Sequence, residues 1–211
     1  GWYVVEDDVT ITPRLDTHGA VNLILTNGSH LTAEWGIDVK VGDTFTVYAQ
    51  STDEGTMGGL TACLPADFNL DRMTPYSVWP YYGMAGIGSS ARWRAGNDGI
   101  RESEGTIIIN GGNIHAKGQD NASAIGGTRA EEIEFRSTDR GKIYNRRQGG
   151  SITINGGVVR TEAFAMSEGN CTTVNSVGIG TCHYGYGGSV TINGGTVIAE
   201  ATCDAITTGY G

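Results

Sequence analysis

The chain has 211 residues, of which 34 are glycine, and a net charge of −9 from 23 acidic and 14 basic side chains. This length fits one domain with its own core. The acidic balance disfavours binding to a phosphate backbone, so we expect no nucleic-acid partner. No apolar run reaches the ~18 residues of a membrane span, so we expect no direct membrane insertion.

The first 62 residues contain short Val/Ile/Thr-rich segments between glycine turns, which predicts irregular N-terminal turns of an all-β domain. The predicted strands are DVTI, AVNLIL, GIDVK and DTFTVYAQ, and the turns between them are DTHG, TNGS and KVGD. The chain begins at GWYVVEDD without a signal peptide and ends at ITTGYG within a repeat. We therefore expect a piece of a larger protein, folded as a single domain over residues 1–211.

An aromatic-rich insertion and a first long loop follow at residues 63–104. The insertion contains MTPYSVWPYYGM and the loop contains ARWRAGND. Their aromatic and basic side chains are Tyr76, Trp79, Tyr81, Tyr82, Arg92, Trp93 and Arg94.

Residues 105–211 contain three copies of one short motif, which are GTIIINGG, GGSITINGG and GGSVTINGG. Each copy continues into a second alternating segment (NIHAK, VVRTE, TVIAE) and a third short one (AIGG, GIGT, AITT). The third segment has an earlier relative, GIGS, at 86–89. Between the first two copies, EEIEFR at 131–136 favours one helical turn.

Period-2 alternation places the apolar residues of successive copies on one face, which a single copy cannot bury alone. The predicted face contains Ile107, Ile109, Ile114 and Ala116, with Ile152, Ile154, Val159 and Thr161 in the next copy. Parallel strands stacked on glycine corners form a right-handed parallel β-helix, a β-solenoid. Asn110, Asn155 and Asn193 would then form an internal hydrogen-bond ladder.

Three segments occur together with a GIG motif: WYVVEDDVTIT, AVNLILTNGSHLTAEWGIDVKVGDTFTVYAQ and SITINGGVVRTEA. This combination resembles the β-helical repeat modules of large secreted or wall-attached surface proteins of gut Firmicutes. The resemblance covers nearly the whole chain. It implies a right-handed parallel β-helix, an extracellular setting and a modular parent protein. Such modules are often labelled carbohydrate-binding, and the resemblance carries no catalytic or binding motif over to this chain.

The copies differ in their loops, which should emerge along one edge of the solenoid. The third segment and the next repeat are separated by 20 residues (Ile87 to Ile107), 27 (Ile125 to Ile152) and 11 (Ile179 to Val190). We therefore expect loops 88–104, 127–149 and 180–188 to be neighbours. The side chains that we predict to bind a ligand are Tyr76, Trp79, Tyr81, Tyr82, Arg92, Trp93 and Arg94 together with Phe135, Arg136, Tyr144, Arg146, Arg147, His183, Tyr184 and Tyr186.

Arginine and aromatic residues dominate binding hot spots, and arginine pairs with carboxylate or sulfate groups. Each aromatic residue of the loops either contacts a ligand or packs inside its own loop, because long loops also need a small core of their own. The arginines at 146–147 either contact a ligand or neutralise Glu131, Glu132 and Glu134 in the same loop.

The four cysteines form no C-x-x-C, and the four histidines do not combine with them at a zinc-ligand spacing. We therefore predict neither a metal site nor a cofactor. Cys171 and Cys182 are candidates for a local disulfide bond, although four cysteines allow three pairings. Cys63 and Cys203 are equally well explained as buried thiols.

We predict an extracellular recognition or adhesion module, secreted or attached to the cell wall and monomeric. Its partners would be other domains of the parent protein and a host macromolecule, either a glycan or a glycoprotein such as mucin or immunoglobulin. The alternative is a carbohydrate-active β-helix of the glycoside hydrolase or polysaccharide lyase type. Its carboxylates would be Glu162 and Glu200, in register on consecutive turns at the ~5 Å that a retaining glycosidase needs. An ice-binding solenoid is a weaker hypothesis, since Ile108 interrupts the threonine row of Thr153 and Thr191. A spacer domain is also weaker, because a spacer has no use for Arg/aromatic loops.

Overall fold

A computed structural model describes residues 1–63, 84–89, 104–119, 122–128, 132–133, 143–144, 147–164, 176–182, 185–186 and 188–208. At 119, 132–133, 143–144, 147–148, 164 and 185–186 it describes the backbone alone. All regular structure in these ranges is β-strand. No helix in the described ranges is long and apolar enough to cross a bilayer.

Eighteen strands form three parallel sheets of six. The first sheet contains β1 (Trp2–Val5), β4 (Ala20–Leu25), β7 (Thr44–Ala49), β10 (Thr106–Ile109), β16 (Ser151–Ile154) and β20 (Ser189–Ile192). The second contains β2 (Asp8–Ile11), β5 (His30–Ala33), β8 (Gly59–Ala62), β11 (Asn113–Gln119), β17 (Val158–Phe164) and β21 (Thr196–Ala201). The third contains β3 (Leu15–Asp16), β6 (Ile37–Asp38), β9 (Ile87–Gly88), β12 (Ser123–Gly126), β18 (Val177–Gly180) and β22 (Asp204–Thr207).

Within the described residues, four short strands lie outside the three sheets. They are β13 (Glu132–Ile133), paired antiparallel with β14 (Ile143–Tyr144), and β15 (Arg147–Gln148), paired in parallel with β19 (Gly185–Tyr186). The helical turn predicted at 131–136 is wrong where the chain is described, because residues 132–133 are extended and pair with 143–144. Backbone pairing within the insertion outweighs the weak local preference of a Glu-rich hexapeptide.

The three sheets are the walls of a right-handed parallel β-helix, which confirms the predicted fold. Each of its six coils takes one strand from each sheet, and every strand pairs in parallel with its equivalent in the next coil. The N-terminal third is more regular than its sequence predicted. It forms coil 1 (β1–β3), coil 2 (β4–β6) and the first two strands of coil 3 (β7–β9).

The core is the column of inward-facing side chains inside the three walls. All eight residues predicted for this face are buried, with exposed fractions of 0–1 %. In the third sheet, Ile37, Ile87, Ile125 and Ile179 stack at one register position. The repeat therefore specifies the core directly, one set of apolar side chains per coil.

The asparagine ladder that the NGG corners predicted is present, but it lies on the exposed outside of the corner and not inside the solenoid as predicted, since Asn155 and Asn193 are exposed. Asn155 Nδ2 donates to Asn110 Oδ1 at 2.8 Å, and Asn193 Nδ2 donates to Asn155 Oδ1 at 2.7 Å. A glycine column marks the third sheet, where Gly88, Gly126 and Gly180 have φ values of 140°, 130° and 122°. A side chain on Gly126 would clash with the Gly180 carbonyl oxygen, so backbone packs on backbone there.

Arg14 is a structural residue that the sequence did not reveal. Its guanidinium lies along the third sheet, 3.6 Å from the fully buried carboxylate of Asp38. It donates hydrogen bonds to the carbonyl oxygens of Trp35 (2.6 Å), Ala85 (2.9 Å), Gly88 (3.0 Å) and Ile37 (3.3 Å). One side chain thus ties coil 1 to coils 2 and 3.

Candidate functional site

The ends of the three long loops meet at one corner of the solenoid. We call Glu104, Gly149, Gly150, Thr181 and Gly188 the loop base. Each is a described residue at or beside a point where a loop leaves or rejoins the coils. Glu104 ends the first loop just before β10, Gly149 and Gly150 end the second just before β16, and Thr181 begins the third after β18.

A single buried carboxylate joins these ends. Glu104 is 6 % exposed, and its Oε2 accepts hydrogen bonds from the Gly150 backbone N–H at 2.9 Å and from Thr181 Oγ1 at 3.1 Å. Hydrogen bonds are stronger in a buried setting than at an exposed surface. Glu104 therefore fixes the end of loop 1 to the end of loop 2 and the start of loop 3.

The glycines of the loop base are required by close packing. A Cβ on Gly149 would lie 2.5 Å from Thr181 Oγ1 and 2.6 Å from the Gly188 Cα. A Cβ on Gly127, where the second loop begins, would clash with the Glu104 carboxylate. The small residues before and after the loops thus let three chain segments reach one side chain.

The second and third loops also pair with each other beyond the loop base. In the β15–β19 pair, Arg147 is in register with Gly185 and Gln148 with Tyr186. Tyr144 is in register with Glu132 in the β13–β14 hairpin inside the second loop. The backbone therefore brings Arg147 and Tyr186, which lie 39 positions apart in the sequence, onto adjacent short strands.

Most of the predicted binding side chains lie outside the described residues and stay predictions. These are Tyr76, Trp79, Tyr81, Tyr82, Arg92, Trp93, Arg94, Phe135, Arg136, Arg146, His183 and Tyr184. For Tyr144, Arg147 and Tyr186 the backbone alone is described.

The alternative carboxylate pair lies on the outer face of the second sheet, away from the loop base. Lys117, Glu162 and Glu200 occupy one register position on β11, β17 and β21, as predicted. Glu162 has two side-chain partners on β11: Lys117 Nζ lies 2.9 Å from Oε2, and His115 Nε2 lies 2.6 Å from Oε1. The sequence pointed to the first of these partners and missed the second. The period-2 alternation that aligns 117 with 162 also places position 115 on the same face.

These partners keep Glu162 ionised. Burial raises the pKa of its carboxyl, but the hydrogen bonds and charges of Lys117 and His115 outweigh burial, and the pKa falls below its ordinary value. A general acid of a glycosidase needs the opposite shift. Glu162 is therefore suited to an ion-paired role on an open sheet face.

Cys182 is a fully buried thiol beside the loop base. Its Sγ lies 3.5 Å from Ser123 Oγ, and burial raises its pKa to about 12 despite that hydrogen bond. Such a thiol is unreactive at neutral pH. Cys171 lies outside the described residues, so its predicted disulfide bond with Cys182 stays a prediction. Cys63 and Cys203 are half-buried.

In the part of the chain that the structure describes, no group of three or more His, Cys, Asp or Glu side chains is arranged to hold a metal ion. Neither a protein-family model, nor a curated protein, nor a solved structure matches the chain. The loop base and the outer face of the second sheet are therefore interpreted from their own chemistry.

Proposed function

We propose that the chain is an extracellular recognition module whose three loops together bind a host glycan or glycoprotein. The observation that carries the proposal is the loop base. One buried carboxylate joins the ends of loops that are far apart in the sequence. Long loops anchored on a rigid scaffold usually serve a function.

The loops contain the residue types that recognition requires. Although the chain is acidic, eight of its 14 basic residues lie at 92–94 and 129–147. They are interspersed with Trp93, Phe135 and Tyr144, and the third loop adds Tyr184 and Tyr186. Arginine forks pair with carboxylate and sulfate groups, and aromatic rings provide large rigid contact areas. This composition favours an acidic ligand, such as a sialylated or sulfated glycan on mucin.

We infer the setting from the resemblance to surface-protein modules of gut Firmicutes. Under this proposal the domain belongs to a larger secreted or wall-attached protein, in which the solenoid holds the loops away from neighbouring domains. An immunoglobulin would contact the same Arg/aromatic loops through its own acidic or glycosylated surface.

The loop proposal is tested by removing charge and aromatic area from the loops. The variant Trp93→Ala/Arg146→Ala/Arg147→Ala should lose binding on an array of sialylated and sulfated glycans and in pull-downs with mucin and immunoglobulin. The matched control Lys117→Ala/Arg160→Ala removes two positive charges from the outer face of the second sheet and should bind like the parent chain. If the loop variant still binds and its melting temperature is unchanged, these loop side chains do not form the binding site.

A further inference from the structure

The outer face of the first sheet differs from the rest of the solenoid in its charge. The six strands of this sheet, all of which the structure describes with their side chains, contain no charged residue. The second and third sheets do contain charged residues, which are Asp8, Lys117, Arg160, Glu162 and Glu200 in the second and Asp16, Asp38 and Asp204 in the third. An acidic protein therefore presents one long neutral face.

This face presents hydroxyl and amide groups in rows that run along the solenoid axis. Outward positions alternate with core positions along each strand, and parallel pairing brings equivalent positions into register. From coil 3 to coil 6 the first row is Thr44, Thr106, Ser151 and Ser189, and the row beside it is Thr46, Ile108, Thr153 and Thr191. The asparagine ladder forms a third row at the corner. Such groups donate and accept hydrogen bonds without charge, as the hydroxyl groups of sugars do.

An aromatic stack lies on the same face. The ring of Trp2, a residue that is 64 % exposed, stacks on the ring of Tyr48 with centroids 5.5 Å apart and planes inclined by 28°. Trp2 belongs to coil 1 and Tyr48 to coil 3, so the indole extends along the side of the solenoid and does not cover its end. The negative face of an aromatic ring attracts C–H groups, such as those on one side of a pyranose ring.

These features match an extended polysaccharide without charge. A charged ligand would lose water from its charge on this face and gain no opposite charge in return. A β-1,4-linked chain is a flat ribbon with hydroxyl groups along its edges and C–H groups on its ring faces. The coils repeat every ~4.8 Å along the axis, which is close to the length of one sugar unit in such a ribbon. Each sugar unit can therefore meet the same kinds of group on successive coils.

We propose that the outer face of the first sheet binds an uncharged β-1,4-linked polysaccharide that lies along the solenoid axis. The rings of Trp2 and Tyr48 contact the faces of the sugar rings, and the threonine, serine and asparagine rows bind the sugar hydroxyl groups. The site uses no residue of the three loops, so this proposal and the loop proposal can fail independently.

Calorimetric titration with neutral hexasaccharides tests the class of ligand. The probes are cellohexaose, mannohexaose and xylohexaose, which are β-1,4-linked, and maltohexaose, whose α-linkages coil the chain. At least one β-1,4-linked probe should bind about tenfold more tightly than maltohexaose, because its extended shape needs no rearrangement to meet successive coils. Glucose, which can contact one coil alone, should bind too weakly to measure. If none of the three β-1,4-linked probes binds, or if maltohexaose binds as tightly as the best of them, the proposal is wrong.

Two variants with matched controls test the location. Trp2→Ala removes an aromatic contact and should weaken binding of the best hexasaccharide about tenfold. Tyr3→Ala is its control, because Tyr3 is 57 % exposed but lies on the opposite side of the same strand, in register with the buried Leu23. This control should bind like the parent chain.

Thr153→Lys places an ammonium group in the middle of the face, where a bound neutral chain would bury it without a partner, and should abolish binding. Thr196→Lys introduces the same side chain at an exposed position of the second sheet and should bind like the parent chain. If Trp2→Ala and Thr153→Lys keep the far-UV circular dichroism of the parent chain and bind the hexasaccharide equally well, the ligand does not occupy this face.

Discussion

Glu104 and Gly150, 46 residues apart, are joined by a 2.9 Å hydrogen bond from the Gly150 backbone N–H to a buried carboxylate oxygen. The same oxygen accepts a bond from Thr181 Oγ1. This contact lies where three insertions leave a regular solenoid, and it turns three sequence-distant segments into one structural unit. The following predictions start from it and from the ladders of the scaffold.

Replacing Glu104 by alanine should destabilise the chain more than any exposed carboxylate replacement. The change leaves the half-buried Gly150 N–H and the buried Thr181 hydroxyl without their acceptor, which should lower the free energy of unfolding by about 2–4 kcal/mol. Urea denaturation followed by circular dichroism measures it. Glu200→Ala is the matched control on an open strand face and should cost at most about 0.5 kcal/mol. Similar costs for the two variants would show that the loop base is not a stabilising contact.

Glu162 should give the chain a stability contribution that depends on pH. Its pKa is lower in the folded chain than in the unfolded chain, whose glutamates titrate near ~4.3. The unfolded state therefore binds more protons between the two values, and stability rises with pH there. The contribution is complete above the unfolded pKa and is lost as pH falls through the folded pKa.

Denaturation curves of the parent chain and Glu162→Gln, recorded from pH 2 to pH 7, test this titration. The difference between the two should be largest at neutral pH and should disappear at the acid end. Glu200→Gln serves as the control because it removes a carboxylate at the same register position. A difference for Glu162→Gln that is constant over the whole range would contradict the ion-paired role.

The hydrogen bonds of the asparagine ladder should contribute additively to the free energy of unfolding. Asn155→Ala removes two ladder bonds and should lower the free energy of unfolding by about 1–2 kcal/mol, since these bonds are exposed and lie in the lower part of the net range of about 0.5–1.5 kcal/mol per bond. Asn193→Ala removes one bond and should cost about half as much. Thermal melts of both variants measure the ratio. Equal losses would mean that the corner conformation matters more than the side-chain ladder.

Glycine replacements should separate steric exclusion from backbone strain. Gly126 combines a φ of 130° with a clash against the Gly180 carbonyl, so Gly126→Ala should cost about 3–6 kcal/mol or prevent folding. Gly28 has a φ of 74° and open space, so Gly28→Ala should cost about 1 kcal/mol. Gly55 has ordinary φ and its nearest contact at 3.7 Å, so Gly55→Ala should be nearly neutral. Soluble yield and melting temperature rank the three, and any other order would be inconsistent with the glycine column.

The repeats of this sequence predicted the fold because each copy carries the same inward and outward alternation. Aligning the three copies predicts the inward set that includes Ile107 and Ile152. It also predicts the asparagine ladder and the register of Lys117 with Glu162. Strand β5 went unpredicted because HLTA, at residues 30–33, is only four residues long and lies outside the three copies of the NGG motif.

The interactions that the sequence did not reveal join residues with no repeat relationship. Arg14 reaches Ala85 and Gly88, more than 70 positions away, and Glu104 reaches Thr181 at a separation of 77. Neither Arg14 nor Glu104 lies in a repeated motif, so aligning the copies could not identify their partners. The candidate site was predicted as a set of loops that should be neighbours. The carboxylate that joins their ends emerges only from the three-dimensional packing.

The loop base also affects how the solenoid responds to force. Each strand of the three sheets pairs only with the equivalent strands of neighbouring coils, so a load along the axis would act on one interface after another. Between coils 4 and 5 the parallel strands are supplemented by Glu104, which holds coil 5 both where it begins and where it ends. Under tension this interface should resist separation more than an interface held by strand pairing alone, so coils 4 and 5, which carry the loop ends, would stay together.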